Sequence, residues 1–483
     1  MRDRRWIAQL TALLLASIGA PSIVRAQDAR YELGRRVRQF ELRWKPDQDP
    51  ASLRAVVDPL SQAVSRFFRF QFGEAGRALT EAELALAPKS APSNAELWAR
   101  SLRLRPSQVL IDPEAGTLRV TLEAFYPSHI EPPKDLQATL RFVRTVDGAK
   151  TETRAAALGQ LPSVVSFPLK GQKVPRGDGR LELALTSEGR TIAGSPWAGL
   201  SVVDNLEGRL KAAAARIATW PTDGTSDSAD RATARSLHGI LAGLAQGRVP
   251  ETDYPAARLL DELDAQIRAI DAGERWHGPT RPGEFWLTLP IPSGRKATVR
   301  ILVPPIPPGS TPPPLVVALH GAGGSENMFF DSYGAGAIVS ECRRRGWVLV
   351  APRAGERVDQ VVEAVGTLYP IDAKRVFLVG HSMGAAMAVQ AAVEKPARYA
   401  GVAALGGGGR VRGSDGLRAL PVFVGVGSRD FARAGAKSLA DAFEAAGGPT
   451  TFREYPEVEH LGIVQVALPD VFRWFETIRP ASR

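Results

Sequence analysis

The stretch Arg375–Ala388, RVFLVGHSMGAAMA, constrains this chain more than any other. Val376–Val379 is a short apolar run of β-branched and aromatic residues, the pattern of a buried strand. Gly380-His381-Ser382-Met383-Gly384 follows at once, and then the small, helix-tolerant Ala385–Gln390. Strand, tight turn and helix form the setting in which G-x-S-x-G acts as a nucleophile elbow. A serine that must stand clear of the backbone needs a strained turn. Glycines two residues to either side let the strand and the helix close on it. The helix beginning there aims backbone N–H groups and a positive dipole end at a developing oxyanion. The spacing therefore predicts a nucleophile, Ser382, rather than an ordinary strand–helix turn.

A serine hydroxyl is a weak nucleophile and needs a general base, itself oriented by a third group. With this elbow the partners follow in the order serine, acid, histidine. Of the six histidines, only His460 lies C-terminal to Ser382, in the loop Pro456–Gly462. The acid must come between them, after a strand. Pro421–Gly427 reads as that strand and is followed by Ser428-Arg429-Asp430, so Asp430 leads. Asp415, in a glycine-rich loop, is less well placed. Glu457 and Glu459 are too close in sequence to His460 to reach back across its ring, and Asp372 reads as a turn residue. An oxyanion hole needs two donors: Met383 offers one backbone N–H, and Ala322, in His320-Gly321-Ala322-Gly323-Gly324, offers the second. Glycines there let the backbone approach a substrate carbonyl. The loop lacks the Lys-Ser/Thr of a phosphate-binding loop. No zinc or calcium spacing appears, and no cofactor is implied.

At 483 residues, two or three domains are expected. With 44% apolar and 23% charged residues, composition excludes a disordered chain and a polytopic membrane protein. Arg2, Arg4 and Arg5 precede the mostly apolar Ile7–Ala20, and Val24-Arg25-Ala26 supplies small residues at −3 and −1. This predicts an export signal cleaved after Ala26, too short to span a bilayer, and a periplasmic or secreted protein with no remaining membrane span. After cleavage, 57 basic and 50 acidic residues leave a net charge of +7, scattered along the chain. Without a basic stripe there is no support for nucleic-acid binding. The single cysteine, Cys342, cannot form an internal disulfide and reads as a small core residue.

Organisation changes along the chain. Residues 27–105 carry helical periodicity over Ala51–Phe70, Leu79–Ala87 (stopped near Pro88) and Ala95–Leu104, and the aromatics Phe67, Phe68, Phe70 and Phe72 read as core packing. From 106 to 205 the period becomes two, in short runs separated by turn residues, which predicts a small β-sandwich. Residues 206–282 return to helices, with Pro221–Ser228 a polar connector. From 283 to 483 the chain opens with a hairpin of edge strands, Glu284–Leu289 and Ala297–Val303, and crosses a Pro-rich spacer. Apolar strands then alternate with amphipathic helices, the first over Glu326–Arg345. The fold class expected is α/β: a doubly wound, mostly parallel sheet preceded by an α+β region, with the site at the C-terminal ends of the strands.

VVALHGAGGSEN, YPIDAKRVFLVGHSMGAAMA, VFVGVGSRD and YPEVEHLG together resemble an α/β-hydrolase. More narrowly they are similar to secreted esterases of the polyhydroxybutyrate-depolymerase-like and feruloyl-esterase-like group, with dienelactone hydrolases and prolyl-oligopeptidase domains as relatives. The resemblance covers residues 283–480. It implies Ser382 as nucleophile, Asp430 as acid and His460 as base. One departure is Ala385, where these esterases carry a second glycine. Only Gly406–Leu420 lies where many such folds insert a lid, so an open cleft is expected unless the N-terminal region covers it. The expected activity is hydrolysis of a small-molecule or polymer-borne carboxylic ester. The alternative is a serine peptidase of the prolyl-oligopeptidase kind, although no propeller-blade repeat precedes residue 280.

Overall fold

A computed structural model describes residues 20–44, 50–86, 91–154, 160–221, 228–353, 357–411 and 416–479. Asp415, Pro88 and residues 1–19 of the leader lie outside them. The chain begins with helices Ala20–Arg43, Pro50–Phe68, Phe72–Ala85 and Asn94–Arg100. The last is capped by Ser93, whose hydroxyl accepts from Glu96 N–H. It stops there because Leu102–Leu104, the end of the expected helix Ala95–Leu104, belongs to strand β1 (Leu102–Pro106): Leu102 and Leu104 are buried and pair with Ala124 and Leu122 of a partner strand. Alternation of period two outweighed local helix propensity.

Strands β2 (Leu110–Ile111), β3 (Thr117–Ala124), β4 (Gln137–Arg144), β5 (Lys150–Arg154), β6 (Ser163–Pro168), β7 (Gly177–Ser187), β8 (Arg190–Thr191) and β9 (Trp197–Val202) follow. They form one sheet ordered β1-β3-β6 and another ordered β2-β9-β7-β4-β5, with β8 beside β7. Leu118, Val120, Leu122, Leu140, Phe142, Phe167, Leu181 and Leu183 interleave in one buried cluster between the sheets. All pairings are antiparallel except β2 with β9. Helices Leu206–Ala218, Ala229–Ala245 and Ala256–Asp271 pack together around Leu237, Leu241, Leu260 and Leu263.

The C-terminal part holds β10 (Gly283–Pro290), β11 (Lys296–Val303), β12 (Leu315–Leu319), β13 (Val348–Pro352), β14 (Val376–His381), β15 (Gly401–Leu405), β16 (Val422–Gly427) and β17 (Thr450–Tyr455). They form one eight-stranded sheet in the order β10-β11-β13-β12-β14-β15-β16-β17. All neighbours are parallel except β10–β11 and β11–β13. Thus β10 is an edge strand but β11 is not, since its other side pairs with β13. Five central strands are buried along their whole length, as a sheet covered on both faces requires. The helix expected over Glu326–Arg345 is broken into Met328–Asp331 and Ala337–Arg345, because Gly334 and Gly336 take positive φ between them.

The N-terminal helices are built into the same core. Leu33, Val37, Phe40, Trp44, Val56 and Leu60 join Phe329, Tyr333, Ile463, Leu468 and Phe472 in one cluster. Gln465 donates to the carbonyls of Trp44, at 3.0 Å, and Glu41. Trp44 packs so closely on Gly462 that a Cβ there would stand 2.5 Å from its ring. Cys342 is fully buried.

The aromatics after residue 66 do not all follow the core. Phe67 and Phe72 pack partly against it, whereas Phe68 and Phe70 are 49% and 51% exposed. Phe70 N–H bonds to Phe67 C=O and Gln71 N–H to Arg66 C=O, the paired bonds that close a helix on a left-handed residue. Phe70 holds that position at φ +59, where glycine is unstrained and a side chain costs roughly 1 kcal/mol.

Candidate active site

At the end of β14 the chain turns sharply through Ser382, at φ +56 and ψ −118, into helix Met383–Glu394. The flanking glycines are sterically required. A Cβ on Gly384 would stand 1.9 Å from Leu319 O, and one on Gly380 would stand 2.1 Å from Gly384 O. Ala385, the departure from the pattern, is accommodated across the strand: its methyl would lie 2.8 Å from a Cβ on Gly407, and that residue is glycine too. Ser382 N–H donates to Leu405 O at 2.9 Å, anchoring the turn to the neighbouring strand.

Two loops bring polar side chains to this turn. His460, from the loop after β17, places Nε2 3.0 Å from Ser382 Oγ and Nδ1 2.9 Å from Asp430 Oδ1. Asp430 follows β16 and also accepts from Ala432 N–H at 2.8 Å. A carboxylate only accepts, so Nδ1 carries the imidazole proton and Nε2 is free to accept from the serine hydroxyl. Asp430 and His460 are buried at 4% and 5% exposure, while Ser382 is half-buried and Met383 is 38% exposed. The serine is therefore reachable, although the N-terminal helices lie beside it: Phe67 sits against Gly323, 2.6 Å from where a Cβ would stand.

The loop His320–Gly324 follows β12, and a Cβ on Gly321 would be 3.2 Å from the Ser382 Cβ. Ala322, at its tip, is exposed. Met383 N–H belongs to the first turn of its helix and has no intrahelical acceptor. The base of the loop is clamped by Arg353, which bonds both Glu326, at 2.7 Å, and Glu251.

A second layer escaped the reading of the sequence. Gly321 N–H lies 3.4 Å from the Tyr333 hydroxyl, which lies 2.8 Å from His381 Nδ1; His381 Nε2 lies 2.9 Å from His460 C=O. Burial pushes the His381 imidazole down to about 3, so the ring is neutral. The carbonyl can only accept, which makes Nε2 the donor and Nδ1 the acceptor from Tyr333. One chain of hydrogen bonds thus ties the loop after β12 to the histidine loop. His381 stands in the elbow motif, but Tyr333 lies 48 residues away and carries no local signal.

Beneath His460 lie two buried carboxyls, Glu459 and Glu41. Glu459 accepts from Leu461 N–H and Gly462 N–H, the latter at 2.7 Å. Burial nevertheless raises its carboxyl to about 7 against the pull of those two N–H groups. Glu41 is pushed well up by burial and by the Glu459 carboxylate. An acid whose pKa rises on folding contributes stability that is complete below its unfolded value, here near 4.5, and lost as the pH climbs through about 7. The stability of wild type relative to Glu459→Gln is therefore expected to fall by about 3 kcal/mol between about pH 4 and pH 8. Urea unfolding of both proteins across that range checks this; a constant difference would mean that Glu459 titrates in the fold as it does in the unfolded chain.

A cavity of 1160 Å³ between the N-terminal helix, β7 and β10 is lined by Arg35, Trp197, Arg258 and Trp286 and holds no residue of the serine site. Among the described residues, no helix is long and apolar enough to cross a membrane, and no cluster of His, Cys, Asp and Glu could hold a metal ion.

Residues 350–414 match the model of the phospholipase/carboxylesterase family. The match includes the Ser382 turn and stops short of Asp430 and His460. No curated protein matches the sequence. Among solved structures, a thermostable esterase is 15% identical over 78% of this chain and 98% of its own, with a TM-score of 0.37. The feruloyl esterase module of Clostridium thermocellum, complexed with sinapinate, is 17% identical over 42% and 92%, with a TM-score of 0.36. A fluorophosphonate-binding serine hydrolase of Staphylococcus aureus is 14% identical over 40% and 98%, with a TM-score of 0.35. The mostly parallel eight-stranded α/β sheet carries the Ser382 turn at the end of a central strand, and the segment around that turn, 350–414, is similar to the phospholipase/carboxylesterase family.

Proposed function

We infer that Ser382, His460 and Asp430 form a catalytic triad that cleaves carboxylic esters through an acyl-enzyme. The observation that carries this reading is the pair of contacts at His460, 3.0 Å to Ser382 Oγ and 2.9 Å to Asp430 Oδ1. Ser382 Oγ attacks the ester carbonyl carbon while its proton passes to His460 Nε2. The imidazolium so formed is held by Asp430, and the carbonyl oxygen, now an oxyanion, faces the N–H groups of Met383 and Ala322. Collapse breaks the bond to the alcohol, which leaves with the proton from His460. Water then enters, gives its proton to the same nitrogen and attacks the acyl carbon, releasing the acid and restoring Ser382. No cofactor takes part in these steps.

Residues 283–483 are the catalytic unit in this reading, preceded by the helical segment 27–105, the β-sandwich 106–205 and the helical connector 206–282. Export after cleavage at Ala26, to the periplasm or beyond, belongs to the same proposal, with a small or polymer-borne ester as substrate. The prolyl-oligopeptidase reading is the less supported one. The strands before residue 282 form two facing sheets around a shared cluster rather than repeated blades. The deciding experiment sets p-nitrophenyl acetate and longer esters against the corresponding p-nitroanilides. Ester turnover with no anilide turnover is expected. Preferential anilide cleavage would overturn the esterase reading.

A further inference from the structure

A row of exposed aromatic side chains beside the serine comes from outside the eight-stranded sheet. Phe67, Phe68, Phe70 and Phe72 form a row at the turn after helix Pro50–Phe68. Ring centroids lie 5.6 Å apart for Phe67 and Phe68, 5.8 Å for Phe67 and Phe72, and 6.1 Å for Phe70 and Phe72. The row reaches the site directly, because the Phe67 ring fills the space that a side chain on Gly323 would need. Two more exposed apolar side chains belong to the site itself. Met383 follows the serine, and Phe431, 69% exposed, lays its ring 4.2 Å from that of His460.

Fold stability does not account for this row. Half of each of Phe68 and Phe70 is left in water, and Phe70 occupies a left-handed position where glycine would be unstrained. Strained backbone and exposed aromatic surface that gather next to a nucleophile point to a ligand. The catalytic unit lacks an apolar cover of its own, since only 406–420 lies where a lid would be inserted. Aromatic faces that lose water on contact favour aryl or alkyl groups over charged ones.

We propose that helix Pro50–Phe68 and the phenylalanine turn that ends it supply the apolar wall of the substrate site. This wall takes a bulky aryl or long alkyl group of the ester, on either its acyl or its alcohol side. The proposal rests on the esterase reading of Ser382 and deepens it.

The test uses the full chain and the double variant Phe68→Ser, Phe70→Asn. Both side chains are half exposed, and asparagine tolerates left-handed φ, so the turn keeps its shape. One substrate arm varies the acyl group, p-nitrophenyl decanoate against p-nitrophenyl acetate. The other varies the alcohol, 2-naphthyl acetate against ethyl acetate. The readout is the ratio of kcat/KM for the bulky ester to that for the small one. In the variant this ratio is expected to fall by about tenfold in one arm, and that arm identifies the side of the ester that meets the wall. A ratio within about twofold of wild type in both arms overturns the proposal, whether or not the variant's oligomeric state changes. Should the double variant unfold early, Phe68→Ser alone is read by the same ratio. Wild type that hydrolyses none of these esters refutes the esterase reading itself, a result distinct from an unchanged ratio.

Discussion

Ser382→Ala is expected to lower kcat for p-nitrophenyl esters by about 10⁴–10⁶-fold while leaving the protein folded. The substitution removes the only atom of this residue that bonds carbon in the proposed reaction, and the second contact of His460 with it. What survives is the binding of the ester and the two N–H groups, which act on water attack without covalent catalysis. Folding is spared because the residue holds its turn through the backbone. The N–H bond to Leu405 O and the positive φ are both kept by alanine, and the serine side chain is only half-buried. Steady-state kinetics beside thermal unfolding checks both halves. Equal activity in variant and wild type would move the nucleophile away from the elbow altogether.

Asp430→Asn is expected to cost about 10⁴-fold in kcat, nearly as much, although no atom of Asp430 meets substrate. The physical cause is the tautomer. Asp430 Oδ1 accepts from His460 Nδ1–H at 2.9 Å and so leaves Nε2 unprotonated toward Ser382. An amide in the same place can donate its N–H to Nδ1, which drives the ring proton to Nε2 and points it at the serine. A protonated Nε2 cannot take the proton of the attacking hydroxyl. Ala432 N–H donates to the same Oδ1, so an amide nitrogen turned toward Nδ1 gives up that one backbone bond. Kinetics at a fixed pH, with circular dichroism to verify folding, reads the effect. A loss under about tenfold would remove Asp430 from the role and leave Asp415 as the next candidate.

The comparison of these sites shows where a sequence is informative. Ser382 was legible because strand, glycine spacing and small-residue helix are all local. Each of these can be read within a dozen residues, and each has a steric cause that the structure exhibits at Gly380 and Gly384. His460 could be singled out by order alone, as the one histidine beyond the serine, and its Nε2 lies 3.0 Å from Ser382 Oγ. The alternation of apolar strands and amphipathic helices after residue 310 likewise specified a parallel sheet covered on both faces. Local pattern was misleading where two signals competed. Leu102–Pro106 followed helical residues yet paired as a strand, and the long helix after residue 326 broke at glycines whose positive φ no periodicity reveals.

What the sequence by itself determined, then, is the sharp strand–serine–helix turn and the layered class of the C-terminal sheet, because these depend on side-chain periodicity and on sterics over a few bonds. What only the tertiary structure decided is everything that depends on which distant surfaces meet. Tyr333 reaches His381 across 48 residues, while Glu41 lies buried beside Glu459 and Phe67 stands against Gly323 only because helices from the first hundred residues are packed into the core of the C-terminal part through Phe40, Trp44 and Leu60. Nothing in the local chemistry of those residues distinguishes a core position from one beside the Ser382 turn. That distinction arises when apolar burial, which has no direction of its own, is satisfied against one particular neighbour.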